Sequence, residues 1–256
     1  MHGTDSDPTV GALLDRAARA LPAAVEENSH GWWLRHTDTA MWWAGSVLAH
    51  GPMSGRDTDP AIAAAERFYA DHRVAARFQI CVDCPPSLDP ALADRGYRRA
   101  CPMSLWLSVA DDIADRFASS LLQARVSDRP DDAWLATWRA VHASGAQAAS
   151  AWRVLRRVRN PSGYVTVFDA EGPIAVGRSV ADTGWTGVFG MATLPHARGR
   201  GAARVVLSAI GRWAADHHAP RIYLQVERDN VTAQRLYERS GFVELAAYHY
   251  RVQTRP

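Results

Sequence analysis

One short stretch limits the fold more than any other part of the chain. A hydrophobic run at 185–194 leads into the arginine- and glycine-rich sequence ARGRG, and an alanine-rich helical pattern follows at 201–217. The hydrophobic run predicts a buried strand and the periodic pattern predicts an amphipathic helix. A helix that begins behind glycines exposes unpaired backbone N–H groups at its positive end, where anions bind. The stretch therefore predicts a strand–loop–helix unit with an anion site at the turn.

The loop by itself has three interpretations: a dinucleotide-binding turn, a site for another phosphate, or a basic loop with solvated arginines. The dinucleotide fingerprint G-x-G-x-x-G lacks its third glycine, because Arg204 stands there. A P-loop requires a lysine, and all 29 basic residues of this chain are arginines. Gly199 and Gly201 allow a close approach of the backbone to a ligand, which suits a phosphate of another kind.

Composition narrows the class of protein. The 256 residues are enough for two ordinary domains. A net charge of +2 argues against wholesale binding to nucleic acid or membranes. No apolar run approaches the roughly 20 residues of a membrane span, and the polar, acidic start MHGTDSDPTV is not typical of a secretory signal. We expect a cytoplasmic protein.

Hydrophobic periodicity predicts two series of elements. The first series has helices at 8–27, 60–73 and about 87–95, and strands at 31–37, 40–49, 76–82 and 97–109. The second has helices at 131–143, 146–158, 201–217 and 230–240, and strands at 123–127, 163–170, 173–181, 185–194, 221–227 and 242–252. The first series loosely repeats the order of the second. We predict an α/β (α+β) protein of two related domains, residues 1–122 and 123–256.

The residues behind the loop identify a family. The sequence YLQVERDNVTAQRLYERSGF, at 223–242, carries the pattern N…A..LY…GF. Together with RGRGAA at 198–203, which fits Gln/Arg-x-x-Gly-x-Gly/Ala, it resembles the GNAT superfamily of acyl-CoA-dependent N-acyltransferases. The resemblance is strong over about 124–252 and weak over 30–110, where the phosphate motif is missing. It implies a central mixed, mostly antiparallel sheet flanked by helices, in two GNAT-like units of which the first is degenerate.

The resemblance also implies acetyl-CoA as co-substrate and a site for it. Main-chain groups of Met191, Ala192 and Thr193 would bind the pantetheine arm. Six consecutive backbone amides would hold the pyrophosphate: those of Arg198, Gly199, Arg200, Gly201, Ala202 and Ala203. The Asn230 side chain would contact the cofactor, and Tyr237 would act as the general acid that protonates the departing thiolate.

The expected reaction is transfer of an acetyl group to a primary amine of a small molecule. Aminoglycoside-type antibiotics are one case, as in resistance or self-protection. The alternatives are a peptide or protein N-terminal acetyltransferase and a non-catalytic acyl-CoA sensor. Trp185 is a candidate for the acceptor site by its strand position. GWTG, at 184–187, has no carboxylate where many family members carry a glutamate base, and neither Asp182 nor Glu227 is assigned that role.

The remaining expectations concern metals and partners. Cys81 and Cys84 form a lone Cys-x-x-Cys, whereas a closed zinc site needs four ligands. The stretch predicts a strand that ends in two reduced thiols, and no metal is expected. We expect no nucleic-acid or membrane partner, and a monomer or a homodimer.

Overall fold

The computed structural model describes residues 9–38, 42–51, 58–114, 122–142 and 152–254. The chain forms two compact units. Unit 1 comprises Met1–Met103 and Ala246–Pro256, and unit 2 comprises Ser104–Leu245. The predicted boundary between residues 122 and 123 separates two domains of related fold. A division into compact units does not test that relation, so the boundary stays a prediction. No helix in the described ranges is both long enough and apolar enough to cross a membrane.

Unit 1 combines a hairpin with a parallel strand pair. Its elements are α1 (Val10–Ala20), β1 (Val25–Ser29), β2 (Trp32–His36), β3 (Val47–Leu48), α2 (Asp59–Asp71), β4 (Arg77–Ile80), α3 (Leu88–Asp94) and the first half of β5 (Arg98–Val109). Strands β1 and β2 pair antiparallel, while β3 and β4 pair parallel on either side of α2. The last residues of the chain return to pair antiparallel with β4.

Two predicted elements of unit 1 are wrong. The helix expected over 8–27 ends at Ala20, and residues Val25–Ser29 form a strand instead. Pro22 lies two residues after Ala20, and proline restricts the residue before it, Leu21, to extended conformations, which stops the helix. The strand expected over 40–49 is a 3₁₀ turn at Trp42–Gly45 followed by the two-residue β3. Short apolar runs do not distinguish strand from helix, and here the turn forms.

Unit 2 follows the predicted order over its described residues; of the helix expected at 146–158, residues 146–151 lie outside them. After β5 come α4 (Ala110–Ala114), β6 (Gln123–Ser127), α5 (Asp132–His142), a helical turn at 152–155, β7 (Ser162–Asp169), β8 (Gly172–Asp182), β9 (Trp185–Thr193), α6 (Ala202–Asp216), β10 (Arg221–Glu227), α7 (Val231–Arg239) and β11 (Val243–Val252). Strands β6 to β9 form an antiparallel meander, and β10 pairs parallel with β9. The expected mixed, mostly antiparallel sheet with flanking helices is confirmed.

The two faces of the unit 2 sheet carry different helices. Ala175 of β8 belongs to an apolar cluster with Val206 and Ile210 of α6, whereas its neighbour Val176 packs with Trp134 of α5. Successive side chains of a strand point to opposite faces. Helices α5 and α6 therefore cover opposite faces of this sheet.

Candidate active site

Strands β9 and β10 pair at one end and separate at the other. Their parallel register runs from Trp185 opposite Arg221 to Val188 opposite Leu224. Both strands then continue, β9 to Thr193 and β10 to Glu227, without further paired positions in the described register. We call the space between 189–193 and 225–227 the strand gap. Where two strands separate in this way, an extended ligand can bind along a strand edge as an added strand.

A β-bulge shapes β9 beside the strand gap. Val176 lies opposite Ala192 and Arg178 opposite Phe189, so Gly190 and Met191 together face a single residue of β8. Gly190 has φ +60°, a conformation that favours glycine. A Cβ built there would lie 3.5 Å from the Trp138 indole nitrogen of α5. The bulge of β9 thus lies against α5.

The main chain of Thr193 points into the strand gap. The Leu194 N–H donates to the Ile174 carbonyl across the β8–β9 ladder. Because hydrogen-bonded and non-hydrogen-bonded pairs alternate, Ala192 bonds toward β8 and Thr193 away from it. The Thr193 carbonyl accepts from Arg198 Nε at 3.4 Å, and the Met191 carbonyl accepts from His142 Nε2 at 3.0 Å. Of the three predicted strand residues, Thr193 thus points its main chain into the gap, whereas Ala192 bonds toward β8 and the Met191 carbonyl accepts from His142.

The loop behind β9 is an open cradle of backbone amides. Gly199 and Gly201 have φ of +77° and +84°, and a Cβ added to either would meet no atom within 4 Å. Gly201 begins α6 without a side-chain cap. In the described structure the backbone N–H groups of 199–203 find no internal acceptor. Free N–H groups at a helix N-terminus beside unfilled space fit a phosphate.

The arginines of the loop differ in their contacts. Arg200 forms an ion pair with Asp169, with Nη1 and Oδ2 3.0 Å apart. The main-chain N–H of Glu171 and the Arg200 guanidinium together hold the pKa of the Asp169 carboxyl below its usual range. Arg198 is exposed and reaches back to β9, while His196 is exposed on the preceding turn. The loop thus presents positive charge beside the open amides.

Tyr237 lies on the α6 face of the sheet. Its ring is buried edge-on to Phe242, with centroids 5.7 Å apart, in the apolar cluster against which the Met191 side chain packs. Burial raises the pKa of Tyr237 to about 12. The phenol is therefore neutral at physiological pH and carries a proton to give.

Asn230 caps helix α7. Its Oδ1 accepts a hydrogen bond from the Ala233 N–H at 3.1 Å, and the side chain is exposed. The pattern N…A that the sequence showed is thus a helix cap in the structure. The amide nitrogen of Asn230 stays available to a ligand.

Trp185 lies at the paired end of β9, away from the strand gap. It is buried, edge-on to Tyr223, and the Arg221 guanidinium lies 4.8 Å from its ring centre. Eight strand positions, about 26 Å, separate it from Thr193. The structure does not bring Trp185 to the residues predicted to hold acetyl-CoA.

Unit 1 contains a cavity of its own. It has a volume of about 360 Å³ and is lined by Asp15, Glu26, Glu27, Asn28, Gly31, Trp33, Leu48, His50 and Gly51. Nearby, Cys81 and Cys84 are buried free thiols with sulfurs 3.7 Å apart. Within the described ranges no three His, Cys, Asp or Glu side chains meet in a group suited to a metal ion.

Two residues near the site escaped the sequence analysis. Arg178 is buried in the sheet on the α5 face, over the Phe189 ring at 5.1 Å, and burial lowers its pKa. His142, the last residue of α5, reaches the bulge of β9. Gly190 inside a predicted strand was a signal for the bulge. No local signal pointed to His142, whose bond to β9 spans 49 positions of the chain.

Comparisons with known proteins agree with this geometry. The family described as "Probable histone acetyltransferase Rv0428c C-terminal" matches residues 9–251. The uncharacterized N-acetyltransferase YobR of Bacillus subtilis (strain 168) is 25% identical over 239 residues, which cover 93% of this chain and 96% of that protein. A GCN5-related N-acetyltransferase from Kribbella flavida, 16% identical, superposes with a TM-score of 0.72 over 98% of both chains. A tandem GNAT protein from the clavulanic acid biosynthesis pathway, 13% identical, gives 0.62 over 76% of this chain and 69% of that one.

Proposed function

The chain belongs to the family of the probable histone acetyltransferase Rv0428c C-terminal region and is an acyl-CoA-dependent acetyltransferase with the GNAT fold, and we propose that its acceptor is a primary amine of a small molecule. Aminoglycoside-type antibiotics are the case we favour, with a role in resistance or self-protection. Tyr237 is the proposed general acid. The observation that carries the proposal is the strand gap, which opens beside the amide cradle on one side and the Tyr237 cluster on the other.

The proposed binding uses main chain rather than side-chain chemistry. The free amides of 199–203 hold the pyrophosphate, supported by the open space above Gly199 and Gly201, whereas the Arg198 N–H, which the sequence analysis had included, donates to the Pro195 carbonyl. The N–H and C=O of Thr193 bind the pantetheine arm as an added strand. The Asn230 amide nitrogen contacts the cofactor from the start of α7. A main-chain N–H of the bulge, near Ala192, polarises the carbonyl that is attacked.

The proposed chemistry is direct transfer. Bound acetyl-CoA supplies an activated acetyl group as a thioester. The neutral amine nitrogen forms a bond to the carbonyl carbon and the carbon–sulfur bond breaks. Tyr237 gives its phenolic proton to the departing sulfur and regains one from the nitrogen, which loses a proton as the amide forms. A tyrosine whose pKa is raised to about 12 is protonated at physiological pH, as a general acid must be before it acts.

The proposal of a small acceptor is supported by the presence of unit 1. Unit 1 adds a second compact body without the phosphate motif, and a cationic acceptor suits acidic side chains such as those of its cavity, among them Glu26 and Glu27. The test is thiol release from acetyl-CoA with a panel of amines: kanamycin, spermidine, tyramine and a tetrapeptide with a free N-terminus. We expect turnover with at least one small amine. Measurable CoA binding without thiol release from any amine would exclude the enzymatic proposal.

A peptide or protein acceptor is the second candidate. The description of the matching family as a probable histone acetyltransferase favours it. The same panel separates the two candidates, because a protein acetyltransferase turns over the tetrapeptide or a histone tail peptide and leaves kanamycin and spermidine unmodified.

A further inference from the structure

The reaction needs a proton acceptor that the sequence did not identify. An amine is protonated near neutral pH and has no lone pair until a base removes the proton. The two carboxylates closest in sequence are poorly placed for this. Asp182 ends β8 and its carboxylate accepts from the Thr183 hydroxyl at 2.6 Å, at the turn before the paired end of β9. Glu227 is exposed at the end of β10.

His142 is a titratable side chain bonded to β9 at the bulge. Its Nε2 lies 3.0 Å from the Met191 carbonyl oxygen, and its ring centre lies 5.3 Å from that of Trp138. A carbonyl oxygen only accepts, so Nε2 carries the hydrogen in this bond. In the neutral imidazole the lone pair is then on Nδ1. The carbonyl thus selects the tautomer that has Nδ1 ready to accept a proton.

The framework of α5 holds this histidine in position. The Trp134 indole nitrogen donates to the Gly177 carbonyl of β8 at 3.0 Å, which ties the helix to the sheet. The Trp138 ring stacks on that of Trp134, with centroids 6.3 Å apart and planes 6° from parallel. His142 follows Trp138 by four residues and so projects from the same side of α5. Because α5 packs on the sheet in this way, the side chain of its last residue, His142, lies at the bulge.

His142 and Tyr237 approach the strand gap from opposite faces. His142 belongs to α5, which covers the face of Val176 and Ala192. Tyr237 belongs to the cluster of α6, on the face of Ala175. An amine that attacks from the α5 face meets the histidine first, while the sulfur departs beside the tyrosine. Two proton-transfer groups on opposite sides of the reacting carbon suit an acid and a base that act on different atoms.

We propose that His142 is the catalytic base, with Nδ1 taking the proton of the acceptor ammonium. The inference rests on the proposed function. The ammonium loses one proton to Nδ1, and the freed nitrogen attacks the carbonyl carbon. The nitrogen's second proton replaces the one that Tyr237 gives to the sulfur. The products are the amide, coenzyme A with its thiol, and an imidazolium that returns its proton to water. The Met191 carbonyl accepts from Nε2–H and stabilises that imidazolium. No charged group bonds to this ring in the described part of the chain.

The experiment compares His142→Gln and His142→Ala with wild type on the best amine of the panel. Both variants should lower kcat about 100-fold, a usual contribution of a general base, with KM for acetyl-CoA and CoA binding by calorimetry unchanged. Added imidazole should restore turnover of the alanine variant, and the acid limb of the wild-type pH–rate profile should disappear in the glutamine variant.

A matched control is His217→Gln. His217 also lies at the C-terminal end of a helix and bonds a main-chain carbonyl, that of Trp213, at 2.8 Å. The kcat of the His217→Gln variant should stay at the wild-type value. If the wild type turns over and His142→Gln is fully active, or if imidazole does not restore the activity lost in His142→Ala, then His142 is not the base. Either result leaves the proposed function unaffected. An inactive wild type that binds CoA overturns both.

Discussion

The two units each contain a parallel strand pair joined through a helix, but the two helices begin differently. In unit 1 the connection is β3–α2–β4, and in unit 2 it is β9–α6–β10. Helix α6 begins behind Gly201 without an acidic residue in its first turn. Helix α2 begins with Asp59, whose carboxylate pairs with Arg95 at 3.0 Å. A carboxylate at a helix N-terminus occupies the position that favours an anion and repels a phosphate. The two strand pairs thus share their topology and differ in the charge at the start of the connecting helix.

The carboxyl ends of the two strand pairs differ as well. Parallel pairing in unit 1 is followed by His50 after β3 and Cys81 after β4. His50 Nε2 lies 2.9 Å from Asp15. Burial lowers the pKa of His50, but the Asp15 hydrogen bond and the Cys81 thiol outweigh burial and raise it to about 9. At this end of its strand pair unit 1 thus brings polar side chains together, whereas β9 and β10 of unit 2 have no paired positions beyond Val188 and Leu224 in the described register.

The largest expected effect is on CoA binding, and it comes from adding a side chain at Gly201 in the amide cradle. Gly201→Asp should weaken CoA binding by about 100-fold or more, because a carboxylate enters the phosphate position and φ +84° is strained for any other residue. Titration calorimetry with CoA measures this. Gly96→Asp is the control in unit 1, with φ +81° and equally open space. Unchanged binding in Gly201→Asp, or an equal loss in both variants, would show that the loop is not the phosphate site.

Replacing Tyr237, the proposed general acid, tests whether the chemistry belongs to unit 2. Tyr237→Phe should lower kcat about 100-fold without changing the Kd of CoA, since only the proton is lost. Tyr250→Phe in unit 1 is the matched control, because burial raises the pKa of that tyrosine to about 12 as well. Steady-state thiol release compares the two. Equal rates in Tyr237→Phe and wild type would show that Tyr237 is not the general acid.

Two helix caps, one in each unit, allow a comparison of smaller effects. Asn230 caps α7 and Thr9 caps α1, each accepting a backbone N–H at 3.1 Å. Asn230→Ala and Thr9→Ala should each lower the free energy of unfolding by about 1 kcal/mol. Chemical denaturation measures the stability, and CoA titration should show weaker binding only for Asn230→Ala. A Kd unchanged in Asn230→Ala would limit that residue to its cap.

The smallest expected effect concerns Asp59. Asp59→Asn removes one partner of an ion pair in which the Asp59 side chain is 64% exposed. Such pairs contribute about 0–1 kcal/mol, so the midpoint of denaturation should barely move. A second equivalent of bound CoA in this variant would show that the carboxylate alone keeps unit 1 from binding.

Local sequence patterns predicted unit 2 far better than unit 1. Strands 123–127 and 221–227 have the predicted bounds, and α6 and α7 are each one residue shorter at both ends. These segments have regular apolar periods and glycines at their turns. In unit 1 the helix expected to 27 ends at Ala20, and the strand expected at 40–49 is largely a turn. There the apolar residues serve packing in short elements, which periodicity does not resolve.

The sequence alone determined the family, the order of elements in unit 2 and the amide cradle, because glycines, small residues and periodic apolar residues act on their own neighbourhood. Only the tertiary structure decided where β9 and β10 part, which face each helix covers, and that His142 meets Met191. Those features arise when segments distant in the chain pack together. A residue pattern of a few positions carries no information on such meetings, so the structure was needed to find the contact of His142 with β9.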